Sequence, residues 1–437
     1  MWRTPMYRSV FTLALTSAAA ACLPAQGGDA IEHEIVEAVA KAVEKNYVYP
    51  DMGESAATLL RGALASGDLD ELEGNALASE LHAMLIGHTN DLHFAVRALP
   101  EDWTPPNSEE EAQQRRAPQP PFGFQSIERL DGNIGYIDLH GFASADAIAD
   151  TVEAAMRLVQ GCETLIFDLR QNGGGDPNAV ALITSYLYDP SEPVHLNSLY
   201  SRPDDSTTEY WTHTEINTEL AMPDVPVYVL TSRGTFSAAE EFSYNLRNLK
   251  RATIVGETTG GGAHPVDFML LHSDQTDLYY QLVLPNARAI SPITKTNWEG
   301  TGVTPHIACP ADEALDQALH AAYTRLLASG NEQVRFGIAA LNARLAPLTC
   351  STAELNAYAG DYTDREFRVD ADRLMYRRVG VSDFRPLVCV EADQFIIEGV
   401  DGFILEFDRD ASGDIIAVTG QYAQGHSDRS VRSGVEN

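Results

Sequence analysis

Hydrophobic residues recur at helical spacing in the first part of the chain, which is typical of amphipathic helices packed on a core. We expect a first helix to end at Pro50 and a second to begin near Asn75. The sequence therefore predicts a helical N-terminal domain over residues 29–97. Its inward-facing positions would be Ile31, Ile35, Val39, Val43, Leu77, Leu81 and Leu85.

Residues 122–325 show a different pattern, in which short apolar runs alternate with helical periodicity. Such alternation predicts an α/β domain with a largely parallel sheet. Asp131-Gly132 separates two strand patterns, as in a hairpin. Residues 313–345 look helical. The clearest further elements are strands at Thr164–Arg170, Val227–Thr231 and Thr253–Val255 and a helix at Ala238–Lys250.

The pattern changes again after about residue 350, where short strand candidates are separated by polar turns. Residues 350–437 are therefore predicted to form a small C-terminal all-β module. Between the first two regions, residues 100–121 contain six prolines and are predicted to be a linker.

Composition narrows the function and the location. The 437 residues carry a formal net charge of −33, so the basic footprint of a nucleic-acid-binding protein is missing. Residues 1–25 are typical of a signal peptide, with Arg3 and Arg8 before a short apolar run. Cleavage near Ala25 would give an exported, periplasmic or extracellular protein; lipid attachment at Cys22 is the alternative. No other stretch is predicted to span a bilayer.

Four cysteines follow the signal segment. None has the spacing of a metal site. Cys350 and Cys389 lie in the same module and could form a disulfide, which export permits, or remain buried thiols.

Ser237 is the first candidate for chemistry. It follows an apolar strand and opens a predicted helix, so its hydroxyl would lie at the carboxyl end of the sheet, where α/β proteins bind ligands. The backbone N–H of Ala238 could there stabilise an oxyanion. The structural alternative is a capping box, because Ser-x-x-Glu also begins ordinary helices, as at Ser351 to Glu354.

Three further loops carry candidate residues. Gly173 and Gly174 follow a buried strand and could bring a second N–H to the oxyanion. His264 follows a second glycine cluster and could be a base, line a substrate pocket or serve structure alone. Glu299, between a tryptophan and a glycine, could be an oriented carboxylate or a surface turn residue.

Taken in order, these loops resemble the tail-specific (C-terminal processing) serine peptidase family. The branch it most resembles contains relatives of interphotoreceptor retinoid-binding protein and the tricorn protease core. The resemblance implies an α/β, crotonase-like (ClpP/crotonase) spiral core with an N-terminal helical cap. The motifs are Gly132–Tyr136, Asp168–Arg170 with its glycines, Thr235–Phe242, Gly256–Thr258 and Glu299–Pro305.

The resemblance also assigns roles. Ser237 matches the nucleophile, and the base lysine of the processing proteases is missing, because no lysine occurs from Arg251 to Thr294. His93 matches the histidine that serves as base in the tricorn-like branch, and Glu299 matches its carboxylate. Ala238 with Gly173 or Gly174 would form the oxyanion hole. No metal or cofactor is implied, and the substrate would be a peptide or protein.

Two departures from the family pattern leave alternatives open. Where the family pattern has a serine before the base histidine, this chain has Leu92. Glu299 would therefore orient His93 directly, through another hydroxyl, or not at all. The 100–121 segment is too short for a PDZ domain. The fold also serves non-catalytic binders of apolar ligands such as retinoids or fatty acids, and an esterase for small acyl substrates would use the same residues. The oligomeric state is not predicted.

Overall fold

The computed structural model describes residues 29–108, 111, 122–273 and 277–434. The predicted signal segment and most of the proline-rich segment lie outside these residues. No helix in the described ranges is long and apolar enough to cross a membrane.

Nine helices and twenty strands are numbered here in chain order within the described residues. The helices are α1 (Asp29–Asn46), α2 (Pro50–Ser66), α3 (Gly74–Thr89), α4 (Ala145–Val159), α5 (Pro177–Ser185), α6 (Ala238–Asn248), α7 (Ala314–Ala328), α8 (Arg335–Leu345) and α9 (Thr352–Tyr358). The strands before residue 310 are β1 (Ala95–Ala98), β2 (Phe124–Leu130), β3 (Ile134–Leu139), β4 (Thr164–Asp168), β5 (His195–Ser201), β6 (Ser206–Trp211), β7 (Val227–Thr231), β8 (Ala252–Gly256), β9 (Val266–His272), β10 (Tyr279–Pro285), β11 (Ala287–Ile290) and β12 (Ile307–Ala308). The remaining strands are β13 (Gly360–Asp361), β14 (Arg365–Asp370), β15 (Arg373–Arg378), β16 (Arg385–Glu391), β17 (Gln394–Ile397), β18 (Phe403–Arg409), β19 (Ile415–Tyr422) and β20 (Ser427–Val431).

A six-stranded sheet of order β12-β8-β7-β4-β3-β2 forms the centre of the molecule. The β2–β3 pair is the predicted antiparallel hairpin, and the other pairs are parallel. Every residue of β4 and β7 is buried, because helices cover both faces of the sheet. The neighbouring parallel strands β4, β7 and β8 all end at one edge, so the loops that follow them meet there.

The N-terminal region corrects the prediction in two places. Pro50 does not end the first helix; α1 ends at Asn46, and Pro50 begins α2. Proline suits a first helical position, since its missing N–H would have no partner there. Residues 95–98 are not helical either, because β1 pairs with β10 in a small antiparallel sheet of order β1-β10-β9. The predicted inner face of α3 is correct: Leu77, Leu81 and Leu85 are buried.

The predicted all-β module of residues 350–437 begins instead with a short helix, α9 (Thr352–Tyr358), which starts at the capping box of Ser351 and Glu354; the described residues after 358 are all-β. Strands β13 to β20 form one antiparallel sheet in which each strand pairs with its neighbour in sequence. The sheet has its own apolar core, but its strands also contact α8, where Phe336 and Ala339 pack against Ile396 and Ile404. The cysteines of the described residues, Cys162, Cys309, Cys350 and Cys389, are free thiols.

Candidate active site

Ser237 occupies an unusual backbone position at the carboxyl edge of the central sheet. It lies between the end of β7 and the start of α6, with φ 56° and ψ −122°. A positive φ is unfavourable for a residue with a side chain and is held only where the surroundings impose it. Strained residues of this kind cluster at functional sites.

The loop after β4 lies directly against Ser237, because β4 and β7 are neighbours in the sheet. A Cβ atom placed on Gly174 would lie 2.7 Å from the Cβ of Ser237 and 3.0 Å from the backbone nitrogen of Ala238. The Gly174 N–H donates to the side-chain oxygen of Asn172 at 2.9 Å. The exposed Gly173 N–H has no acceptor among the described residues. Gly173 is therefore the better placed of the two glycines to donate to a ligand.

Glu240 holds the loop after β8 against the start of α6. Its fully buried carboxylate accepts from the N–H groups of Ser237 at 2.9 Å, Gly261 at 2.7 Å and Gly262 at 2.8 Å. The Thr259 hydroxyl also donates to it. Burial raises the pKa of Glu240, and these hydrogen bonds oppose the rise. The network fixes the backbone of Ser237 to a second glycine-rich loop.

The small sheet β1-β10-β9 brings two distant histidines together. The outer strands β1 and β9 are both antiparallel to β10 and so run in the same direction. His93 stands two residues before β1, and His264 stands two residues before β9. Both therefore lie at the same end of the sheet, which faces the loops around Ser237.

His93 packs against Phe236, the residue before Ser237, and its ring makes no hydrogen bond within the described residues. Its imidazole lies 4.6 Å from the ring of Phe236, centroid to centroid, and its side chain is 9% exposed. A Cβ atom on Gly262 would lie 2.5 Å from its Cε1 atom. Neither ring nitrogen has a hydrogen-bond partner in the described part of the chain. Burial lowers the pKa of His93 to about 4, although the charge of Asp91 acts in the opposite direction.

Asp91 and His264 form a buried pair behind His93. Both side chains are 1% exposed, and the Nδ1 atom of His264 lies 2.6 Å from Oδ2 of Asp91. The Tyr47 hydroxyl donates to the same Asp91 oxygen at 3.3 Å. The other oxygen, Oδ1, accepts from the backbone N–H of His93 at 3.0 Å and lies 3.8 Å from Nδ1 of its ring.

Glu299 approaches this group from the third loop. The Trp298 indole donates to the carbonyl of Gly262 at 2.7 Å, and Oε2 of Glu299 accepts from the N–H of Ala263 at 2.6 Å. That oxygen lies 3.5 Å from Nδ1 of His264. Burial raises the pKa of Glu299 to about 7; His264 lowers it, and Asp91 adds to the rise.

The ligand atoms of Asp91, His93 and Glu299 lie within 4.8 Å of one another, a spacing that a divalent cation could bridge. Three donors already occupy the Asp91 carboxylate, and the Ala263 N–H occupies one oxygen of Glu299. This pattern of donors favours acid–base and positioning roles for the group over metal binding.

The structure thus brings His93, Glu299 and His264 into one cluster, with Ser237, Ala238 and the glycines beside it. It forms no hydrogen bond between Ser237 and His93. The sequence motifs alone do not identify Asp91 as a member of this cluster. The available signal is a carboxylate two positions before the candidate base His93.

Comparison with known proteins identifies relatives of the central domain. Residues 133–309 match the model of peptidase family S41. A carboxyl-terminal-processing protease from Synechocystis sp. is 36% identical over 130 residues, which are 30% of this chain and 28% of the relative. The predicted resemblance to the tail-specific peptidases is therefore confirmed.

Two solved structures are also similar. A lipoprotein from Streptococcus agalactiae gives a TM-score of 0.45 at 14% identity and covers 70% of this chain and all of its own. The photosystem II D1 C-terminal processing protease gives a TM-score of 0.40 at 16% identity. The match covers 64% of this chain and 94% of that protease. Because both TM-scores are below 0.5, the resemblance rests on the sequence matches.

Proposed function

Because residues 133–309 match peptidase family S41, we propose that this protein is a serine peptidase whose nucleophile is Ser237 and whose general base is His93. The strongest support is the joint geometry of the two residues. Ser237 has a strained backbone at the carboxyl edge of the sheet, and the buried imidazole of His93, with two unpartnered nitrogens, packs against the preceding residue, Phe236.

His93 has the protonation state that a general base needs. With a pKa of about 4, its imidazole is neutral at pH 7 and able to accept the proton of the Ser237 hydroxyl. Catalytic hydrogen bonds are often long before substrate binds and tighten in the complex.

The oxyanion would bind to two backbone N–H groups. The N–H of Ala238 belongs to the first turn of α6, where backbone donors have no partner within the helix. The Gly173 N–H, on the adjoining loop, would be the second donor. Negative charge that develops on the substrate oxygen would be stabilised by both donors and by the positive end of the helix.

The reaction would proceed by acyl transfer. Ser237 attacks the scissile carbonyl carbon while its proton moves to His93, and the resulting imidazolium then protonates the leaving amine. A water molecule, deprotonated by His93, releases the acyl group from Ser237.

Covalent labelling tests the proposal directly. A fluorophosphonate probe should modify Ser237, and the Ser237→Ala protein should remain unlabelled. Ser351→Ala is the matched control, because it removes the serine of the other Ser-x-x-Glu helix start. Folded protein that carries no adduct on Ser237 would contradict the peptidase proposal and favour a binding function.

The same proposal includes a crotonase-like spiral arrangement of the core, a peptide or protein substrate, and export to the periplasm or the outside. Export is supported by the basic and apolar pattern of residues 1–25. Cell fractionation with N-terminal sequencing of the mature protein tests it. A cytosolic protein that retains Met1 would contradict it.

A further inference from the structure

The group behind His93 contains more than the expected catalytic residues. The family that the sequence resembles has a serine before the base, but Leu92 stands here and is 52% exposed. Leucine can neither donate nor accept a hydrogen bond, so another residue must provide the polar contact behind the imidazole.

Asp91 is the nearest carboxylate to His93. Its Oδ1 atom fixes the backbone of His93 through the 3.0 Å hydrogen bond and lies 3.8 Å from Nδ1 of the ring. Its Oδ2 atom is held by His264 and Tyr47. Glu299 is farther away: its ligand atom lies within 4.8 Å of those of Asp91 and His93, but it makes no ion pair with His93 in the described structure.

We propose that Asp91, anchored by His264 and Tyr47, is the acid partner that orients His93 and stabilises its positive charge. This inference rests on the proposed function and moves the role of acid partner from Glu299 to Asp91. Asp91 and His264 are positioning residues, and Glu299 acts only through its 3.5 Å contact with His264.

The geometry gives the Asp91 carboxylate a clear task at the His93 ring. A carboxylate near Nδ1 favours the tautomer that carries its proton on that nitrogen and leaves Nε2 free to accept the Ser237 proton. The imidazolium then formed is buried, which is costly without a nearby negative charge. Closing the 3.8 Å gap by about an ångström would give a charge-assisted hydrogen bond of ordinary length.

Glu299 is less well placed for the same task. Its Oε2 atom accepts from the Ala263 N–H, and its Oε1 atom is buried without a partner in the described residues, but neither oxygen comes as near to the His93 ring as Asp91 does. Burial also raises the pKa of Glu299 to about 7, which disfavours its charged form.

Kinetics of matched variants test the proposal. Asp91→Asn keeps the size of the side chain and removes its charge, so we expect kcat to fall by about 10³-fold or more with little change in KM. Glu299→Gln is the matched control, and its kcat should stay within about tenfold of the wild type. Asp91→Glu should recover part of the loss. The opposite ranking of Asp91→Asn and Glu299→Gln would overturn the proposal.

The intact protein offers a second test that does not depend on how variants fold. Nitrogen-15 NMR of labelled histidines, with His93 assigned from His93→Gln, should show the His93 proton on Nδ1. A proton on Nε2 would overturn the proposal. Activity should also survive dialysis against EDTA; loss that Zn²⁺ restores would mean that the cluster holds a metal instead.

These outcomes are separable from failure of the proposed function. If the probe does not label wild-type Ser237, the peptidase assignment fails. If it labels the wild type and Asp91→Asn at the same rate, only the role of Asp91 fails.

Discussion

Two helices in this protein begin with the same sequence pattern, Ser-x-x-Glu, and differ in almost everything else. At Ser351 the backbone has φ −66° and ψ 155°, an ordinary extended conformation, and Glu354 returns a hydrogen bond to the Ser351 N–H at 2.7 Å. At Ser237 the glutamate makes the same return bond, but φ is 56°. The pattern therefore predicts a helix start in both places and a strained serine in neither.

The difference lies in the surroundings of the two glutamates. Glu354 is exposed, and its hydrogen bonds to Ser351 hold its pKa below the usual range. Glu240 is fully buried, and burial raises its pKa. Because Glu240 also accepts from Thr259, Gly261 and Gly262, it connects α6 to a distant loop. These tertiary bonds can maintain strain of about 1–3 kcal/mol at Ser237.

Removing each serine should produce the largest contrast. Ser237→Ala should lower kcat/KM on a susceptible peptide by about 10³-fold or more, because the nucleophile is lost. Ser351→Ala should leave kcat/KM unchanged, because its hydroxyl only caps a helix in the C-terminal module. Steady-state kinetics with both purified variants provides the measurement. Equal losses would show that the two motifs have the same structural role.

Neutralising Glu240 and Glu354 in turn should change the free energy of unfolding by very different amounts. In Glu240→Gln an amide NH₂ would face backbone N–H groups, so we expect the free energy of unfolding to fall by about 2–5 kcal/mol. Glu354→Gln, at an exposed site, should change it by less than about 0.5 kcal/mol. Urea unfolding followed by near-ultraviolet circular dichroism measures both. A small effect of Glu240→Gln would mean that its network contributes little to the loop.

The pH dependence of activity should reflect the burial of His93 at the Ser237 site. The sequence alone predicts an acid limb near pH ~6–7, from an unperturbed histidine. Burial lowers the pKa of His93 to about 4, so the neutral, active imidazole should persist to lower pH and the limb of kcat/KM should move down toward pH 4. The groups that face the imidazole are Asp91, His264 and Glu299, with Glu240 beneath Gly262.

A pH–rate profile of the wild type tests this, with Glu299→Gln as the control. The limb should stay in place in the control if Glu299 does not act on His93 directly. A wild-type limb that remains near pH ~6.5 would show that His93 is more solvated in solution than in the structure.

Glycine at the two serine positions should give the smallest effect, with opposite signs. Ser237→Gly removes the side chain that makes a positive φ costly, so the free energy of unfolding should rise by about 1 kcal/mol. Ser351→Gly loses a capping hydroxyl without relieving strain and should lower it by a few tenths to about 1 kcal/mol. Thermal unfolding of both variants measures the sign. Destabilisation in both would argue against strain at Ser237.

Much of the fold could be predicted because local sequence patterns determine many of its helices, strands and turns. The β2–β3 hairpin follows from Asp131-Gly132 between strand patterns, and the buried strands β4 and β7 follow from continuous apolar runs. The separate helix α2 was missed because Pro50 was interpreted as an end, although proline also begins helices. The small sheet was missed because β1 has only four residues and its partners lie more than 170 positions later.

Within the site, loops after predicted strands singled out Ser237 and Glu299 as candidates, and the family resemblance singled out His93. Sequence could not show that Asp91 contacts His264, because the two are 173 residues apart. The tertiary structure decides that contact: β1 and β9 flank β10 and run in the same direction, so the residues before them meet at one end. The local sequence likewise does not show that Glu240, which accepts from the Ser237 N–H, also binds a loop more than twenty residues away.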